Sequence, residues 1–247
     1  MTTTKRTTTA PKGDVRTETL DEFDDLLGEY ANGETDFAYL VRSLWATREG
    51  IKQLDAARKA VFEHVKAAHT LGHTTVAGYR LKMTSPPEPT AYTSVASAAV
   101  KTADVAAWRR AQALAPFVQV KAPAGMAVAE EAVPEEAAVD FVAPEAAVVC
   151  YKEHPAWARL RELRVVEQET LGRLEKLAAD FGWDGDLKVF ADGWSVQLRR
   201  LQFSAEKLAA TDPAVFDRCA VTKLKVVNPH VIVARVRDDG TEDDGVE

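Results

Sequence analysis

The sequence predicts an α+β protein of two similar modules, each with helices packed on a small antiparallel sheet, and with a long helix in the N-terminal half. Three observations carry this. Apolar residues recur at steps of three and four over two long stretches, about Asp36 to His69 and Trp157 to Phe181, as on one face of a helix. After Gly72 and again after Gly182 the period changes to two, as in strands. The same order of signals then appears twice in 247 residues, a length that suits one large domain or two small ones.

Residues 1–17 form a Thr-rich basic segment, expected to be a disordered tail. Thr19-Leu20-Asp21-Glu22 reads as a capping box opening a short helix with Leu20, Phe23, Leu27 and Tyr30 on one face, broken by Asn32-Gly33. The long helix follows, with Phe37, Leu40, Val41, Leu44, Ile51, Leu54, Val61, Phe62 and Val65 on its stripe and Leu71-Gly72 at its C-cap. At 1.5 Å per residue it spans about 50 Å, so its stripe needs a partner helix. A strand is predicted over Val76 to Met83, then a stiff loop at Pro86-Pro87-Glu88-Pro89. Asp104 is placed to cap a short helix carrying Trp108, and Phe117 to Lys121 alternate as a strand. These elements make an N-terminal α+β module over 18–121.

Residues 122–149 are almost entirely Ala, Val, Glu and Pro, and Pro123, Pro134 and Pro144 interrupt any long helix. The composition predicts an acidic, partly extended linker; the alternative is a strand or short helix lying on a core, with Phe141 and the Val residues buried. The C-terminal α+β module, 150–237, opens with a helix whose first turn holds Pro155 and which ends at Gly182. Leu187 to Phe190 and Trp194 to Phe203 read as a hairpin turning at Asp192-Gly193. Asp212-Pro213 opens a short helix with Phe216, and strands follow over Leu224 to Val227 and Val231 to Val236, split by Asn228-Pro229. Residues 238–247 hold six acids and one apolar residue, Val246, and are expected to be a disordered acidic tail.

The two modules correspond in detail. Gly78-Tyr79-Arg80-Leu81 answers Gly193-Trp194-Ser195-Val196; Asp104 to Arg110 answers Asp212 to Arg218; Gln119 to Pro123 loosely answers Lys225 to Pro229. The offsets drift from 115 to 108 to 106, so the expected internal duplication has loops of unequal length. Two unrelated α+β halves remain the alternative.

Composition narrows the function classes. A chain that is 46% hydrophobic is ordinary for a globular protein, and two distant cysteines, Cys150 and Cys219, are no disulfide scaffold and suit a reducing cytoplasm. No run of about 18 apolar residues suggests a membrane span. The net charge of −7 is concentrated: residues 122–149 and the last ten carry −6 each, and the first seventeen carry +3. The remainder is close to neutral and shows no concentrated basic stripe of the kind that marks a strong DNA binder.

No catalytic constellation is legible: there is no Gly-rich phosphate loop, HExxH, GxSxG or paired CxxC. His69 and His73 have a zinc-like spacing near His64, but Gly72 separates them and no Cys or acid completes a set. Asp180, Asp184, Asp186 and Asp192 lie among glycines, as turn residues do. No metal, cofactor or small-molecule substrate is expected. What remains are aromatic residues with basic neighbours: Tyr79, Trp108 with Arg109 and Arg110, and Trp194 with Arg200. Trp, Tyr and Arg dominate interface hot spots, which makes these six the candidate partner-binding residues; stacking on single-stranded bases is the alternative use, and a core role the third.

The segments TTTKRTTTAPKGD, GHTTVAGYRLKM and TADVAAWRR, with the Ala/Val/Glu/Pro linker, resemble a small actinobacteriophage early protein. The layout of the chain is similar to that of the recombination directionality factor of a large serine integrase, of the Streptomyces-phage type. The resemblance implies a non-enzymatic, cytoplasmic regulator. Such a factor binds the integrase, meets DNA only through it, and favours excision between attL and attR over attP × attB integration. The helix-then-strand first half also loosely resembles phage coiled-coil nuclease inhibitors, which leaves a single-stranded-DNA-binding or nuclease-inhibiting accessory as the other reading.

Overall fold

The structure is a computed structural model and describes residues 36–190, 192–236 and 242–243. The basic N-terminal tail, the short helix expected at Leu20 to Tyr30 and most of the acidic C-terminal tail lie outside the described residues. The chain is mixed helix and sheet, with small antiparallel sheets and a long helix in its N-terminal half, as the sequence predicts.

In chain order the elements are α1 (Asp36–Thr70), β1 (Thr75–Val76), β2 (Tyr79–Met83), β3 (Thr90–Val95), α2 (Ser97–Ala103), α3 (Val105–Arg110) and β4 (Gln112–Lys121). Then come α4 (Pro144–Glu153), α5 (Ala156–Asp180), β5 (Lys188–Val189), β6 (Ser195–Phe203), α6 (Ala205–Thr211), α7 (Pro213–Cys219), β7 (Ala220–Lys225), β8 (Val231–Val236) and β9 (Glu242–Asp243). Helix α1 ends where the glycine signal places it: Gly72 has φ 90° and its N–H bonds His69 O, while His73 N–H bonds Ala68 O. The strand expected over Val76 to Met83 is instead a hairpin. Ala77 and Gly78 both have positive φ, 49° and 80°, which is the two-residue turn that matches strand twist. Sequence alternation runs on through such a turn, which is why it reads as one strand.

Contacts divide the chain into two compact units, and each draws on both halves of the sequence. In the first, the described residues are 36–45, Pro116–Met126 and 168–190 with 192–200. Phe37, Leu40, Val41 and Leu44 of α1 pack with Leu174 and Ala178 of α5 and with Trp183, Phe190, Trp194, Val196 and Leu198. Each fully buried Leu or Val of this set is worth about 1.5–3 kcal/mol relative to exposure. Gly185 holds φ 79°, and a Cβ there would stand 3.0 Å from Leu198 Cβ, so the loop after α5 can lie against β6 only with glycine.

The second unit holds the rest. Leu54, Ala57 and Val61 of α1 pack with Trp157, Leu160 and Leu163 of α5 and Cys150 of α4. Further along α1, Val65 and Ala68 pack with Tyr79, Leu81, Val231, Ala147 and Val148. β2 pairs antiparallel with β8 (Leu81 opposite Val233) in the sheet β1-β2-β8-β9. β3 pairs with β7, and β4 is hydrogen-bonded to β6 in the sheet β4-β6-β5. The boundaries 18–121 and 150–237 therefore do not coincide with the compact units. β2, β3 and β4 each pair with a strand from the second half of the chain.

The acidic segment 122–149 divides: up to Ala143 it has no helix or strand beyond a single turn at Glu135–Ala137 and leaves Val128, Val133 and Val139 exposed, as the partly extended linker predicts, whereas from Pro144 it is a helix lying on a core. Pro144 sits in the first turn of α4, where its missing N–H costs nothing, and Ala147 and Val148 are fully buried. Upstream, the Gln53 side-chain amide donates to Ala129 O (2.9 Å) and accepts from Glu131 N–H (3.0 Å), fastening the segment to α1. Phe141, which the alternative buries, is 75% exposed.

The expected duplication holds only in part: Gly78–Leu81 does not answer Gly193–Val196, because β2 pairs with β8 whereas the strand after Gly193 enters the sheet β4-β6-β5, but the match of Asp104–Arg110 with Asp212–Arg218 extends to a pair of helices. α2 and α3 recur as α6 and α7 with a constant offset of 108 positions, from Ser97 to Ala205 and from Val105 to Pro213. Their shared cluster is built of matched pairs at that same offset: Val95 and Phe203, Val100 and Leu208, Ala107 and Val215, Trp108 and Phe216, Ala111 and Cys219. β3, which precedes α2, pairs with β7, which follows α7; β6, which precedes α6, is bonded to β4, which follows α3. This reciprocal exchange is the pattern of a two-fold dimer written into one chain.

Candidate functional site

The six candidate partner-binding residues fall into three environments. Tyr79 and Trp194 are core residues, 6% and 3% exposed. Tyr79 donates its hydroxyl proton to the Glu153 carboxylate (2.7 Å); burial first, then this carboxylate, pushes its pKa above the ordinary value. Trp194 meets Trp45 edge-to-face with ring centroids 5.5 Å apart. Both follow a turn glycine, Gly78 and Gly193, at the point where a strand enters its sheet, which is what drives them inward.

Trp108 is half-buried. Its indole N–H donates to Ser97 Oγ (2.9 Å), and Lys101 Nζ lies 4.9 Å from the ring centroid. Arg109 and Arg110 are exposed on α3. Arg110 grips Asp212 with two bonds, Nη2 to Oδ1 at 2.5 Å and Nε to Oδ2 at 3.1 Å. That pairing raises the guanidinium pKa and holds the Asp212 carboxyl below the usual range. Asp104 caps α3 by accepting from Ala107 N–H (2.9 Å), whereas its counterpart Asp212, at the start of α7, gives its carboxylate to Arg110 and makes no side-chain capping bond. Arg200 is exposed, with its guanidinium 3.6 Å from the Phe117 ring centroid. Trp194 and Arg200 belong to the first unit, the other four to the second.

The surface the sequence did not mark is the β3·β7 ribbon. Its register is Thr90–Lys225, Ala91–Leu224, Tyr92–Lys223, Thr93–Thr222, Ser94–Val221 and Val95–Ala220. Directly opposed residues share a face and alternate along the strand. One face is therefore Thr90, Lys225, Tyr92, Lys223, Ser94 and Val221. The other is Ala91, Leu224, Thr93, Thr222, Val95 and Ala220, and only its base, at Val95, packs on the helix cluster. Beyond the base both faces are open: Tyr92 is 48% exposed, Val221 50% and Leu224 63%, with Val226 just past the end of β7 at 61%. A two-stranded ribbon gains little stability from pairing alone, so exposed apolar side chains along it suit a partner better than a fold. The run Thr90–Val95, bounded by Pro89, was the available signal; β7 lies some 130 positions away and the pairing is invisible to local pattern.

The other candidates resolve as follows. His64 and His73, with Asp140, line a cavity of about 220 Å³ whose other walls are apolar, including Leu71 and Phe141. Among the described residues no group of three or more His, Cys, Asp or Glu is placed to hold a metal ion. Cys150 is buried, its thiol pushed up to about 12 by burial and by neighbouring Glu136. No helix among the described residues is long and apolar enough to cross a membrane. No family profile, curated protein or solved structure matches the chain.

Proposed function

We propose that this protein is a non-enzymatic regulator of site-specific recombination, acting in the cytoplasm of a bacterial host. It binds a large serine integrase and turns it from attP × attB integration to attL × attR excision. The observation that carries a protein-binding role is the bare β3·β7 ribbon, whose less polar face leaves Leu224 exposed within a paired strand. The resemblance of the sequence supplies the partner. The reading works by population shift: the factor binds one synaptic arrangement of the integrase better than the other, and about 3 kcal/mol of difference is about 150-fold in the balance. No bond is cut or joined by this chain, because the integrase carries the nucleophile. The competing reading, stacking of single-stranded bases on Tyr79, Trp108 and Trp194, is weakened because two of the three rings are buried.

The test is a recombination assay with purified protein and a candidate integrase, run in parallel on attL × attR and attP × attB substrates. Stimulation of the first and suppression of the second is expected. No effect on either, together with no integrase capture, overturns the proposal.

A further inference from the structure

We infer that the polar face of the β3·β7 ribbon is a contact for the phosphate backbone of duplex DNA. Five of the six residues on this face bring a donor: the hydroxyls of Thr90, Tyr92 and Ser94, and the ammonium groups of Lys223 and Lys225. Neither face of the ribbon carries a carboxylate. Residues 218–236 contain Arg218, Lys223, Lys225 and Arg235 and no Asp or Glu. The ribbon and the helices at its base, residues 90–110 and 205–225, hold seven Lys and Arg against four Asp and Glu in a chain whose net charge is −7. Folding thus sorts charge that the linear sequence scatters.

The geometry points to a duplex. The major groove is about 12 Å wide and admits a two-stranded ribbon. Six residue pairs at about 3.4 Å each extend roughly 20 Å. Phosphate oxygens accept from every donor on this face, the hydroxyls as well as the ammonium groups. The apolar face, at Leu224 and Ala91, stays available for protein, so the ribbon can touch DNA and a DNA-bound partner at once. This inference does not require that the partner be an integrase.

The test is fluorescence anisotropy of the full chain with a short labelled duplex, from about 50 to 200 mM salt. With two to three phosphates engaged, weak saturable binding is expected, and log K should fall against log salt with a slope of about −2 to −3. Lys223→Glu with Lys225→Glu should cost tenfold or more in duplex affinity while the melting temperature stays that of the parent, since both side chains are exposed. Leu224→Gln should leave duplex binding unchanged and reduce integrase capture. No saturable binding at the lowest salt, or equal binding by the charge-reversed variant, overturns the inference. Loss of integrase capture without loss of duplex binding in that variant also overturns it, and assigns the lysines to an acidic protein surface. Loss of capture in Leu224→Gln alone bears on the protein partner and leaves the DNA contact standing.

Discussion

Two strand pairs flank the repeated helices, and the molecule uses them in opposite ways. β4·β6 continues into a three-stranded sheet with β5, and β6 delivers Val196 and Leu198, both fully buried, to the core of the first unit. β3·β7 holds the equivalent place in the repeat and, among the described residues, forms a sheet of its own. The residue 108 positions before Leu198 is Thr90, and it is exposed. At the 108-position offset the counterparts of Thr90–Val95 are Leu198–Phe203, of which only Leu198 is buried; Trp194 and Val196, which also reach the core, precede this stretch, in a part of the β6 segment that β3 lacks. The repeat carries the same pairing twice: one copy runs into a buried core, and the other stays exposed on both faces beyond its base.

The contrast breaks most sharply at Trp194. Trp194→Ala removes a fully packed indole and its edge contact with Trp45, and should cost about 3–5 kcal/mol of stability. Chemical denaturation measures it. Any loss of integrase binding by this variant should track the unfolded fraction. If Trp194→Ala melts like the parent and still loses partner binding, then β6 is an interface and the two strand pairs are alike.

Leu224→Gln tests the other side of the comparison. Its side chain is 63% exposed on a bare ribbon, so stability should change by no more than about 0.5 kcal/mol. Partner capture should fall by about 1–4 kcal/mol in binding free energy if Leu224 lies at the centre of the interface. Isothermal titration beside a thermal melt separates the two effects. A variant that loses stability but keeps its partner would show that the ribbon belongs to the fold.

What was legible in the sequence follows the range of the interactions. The two long helices, their glycine stops and the hairpin turning at Gly193 are set by residues a few positions apart, and periodicity finds them. The caps at Asp104 and Asp212 were legible as sequence, though only Asp104 uses its carboxylate for capping. α2 and α6 were missed because Ser97–Ala103 and Ala205–Thr211 are too short to show a period. The pairings β2·β8, β3·β7 and β4·β6 were missed because each joins segments far apart in the chain. The candidate site suffered most from this. Residue type alone selected Tyr79 and Trp194, which the turn glycines ahead of them carry inward. The ribbon, read one strand at a time, is only two short runs of Thr, Ser, Lys and small apolar residues.

The smallest expected effect concerns an ion pair that links the two copies of the helix repeat. Arg110 of α3 holds Asp212 at the start of α7, and the hydrogen bonds between them depress the Asp212 pKa. A carboxylate whose pKa is lower in the folded chain adds stability above its unfolded pKa, and that contribution disappears as pH falls through the folded value. Arg110→Gln should therefore melt slightly below the parent at neutral pH, and the gap should begin to close as the pH falls through the ordinary Asp value of about 3.9, closing fully only below the depressed folded value, where the carboxyl is protonated in both states. Both groups are solvent-exposed enough for salt to screen them, so the gap should also shrink as ionic strength rises. A melting-temperature series over pH, run on both proteins at low and high salt, reads all three expectations. A gap that persists unchanged into acid would mean that Arg110 contributes through the packing of its aliphatic stem, not through Asp212.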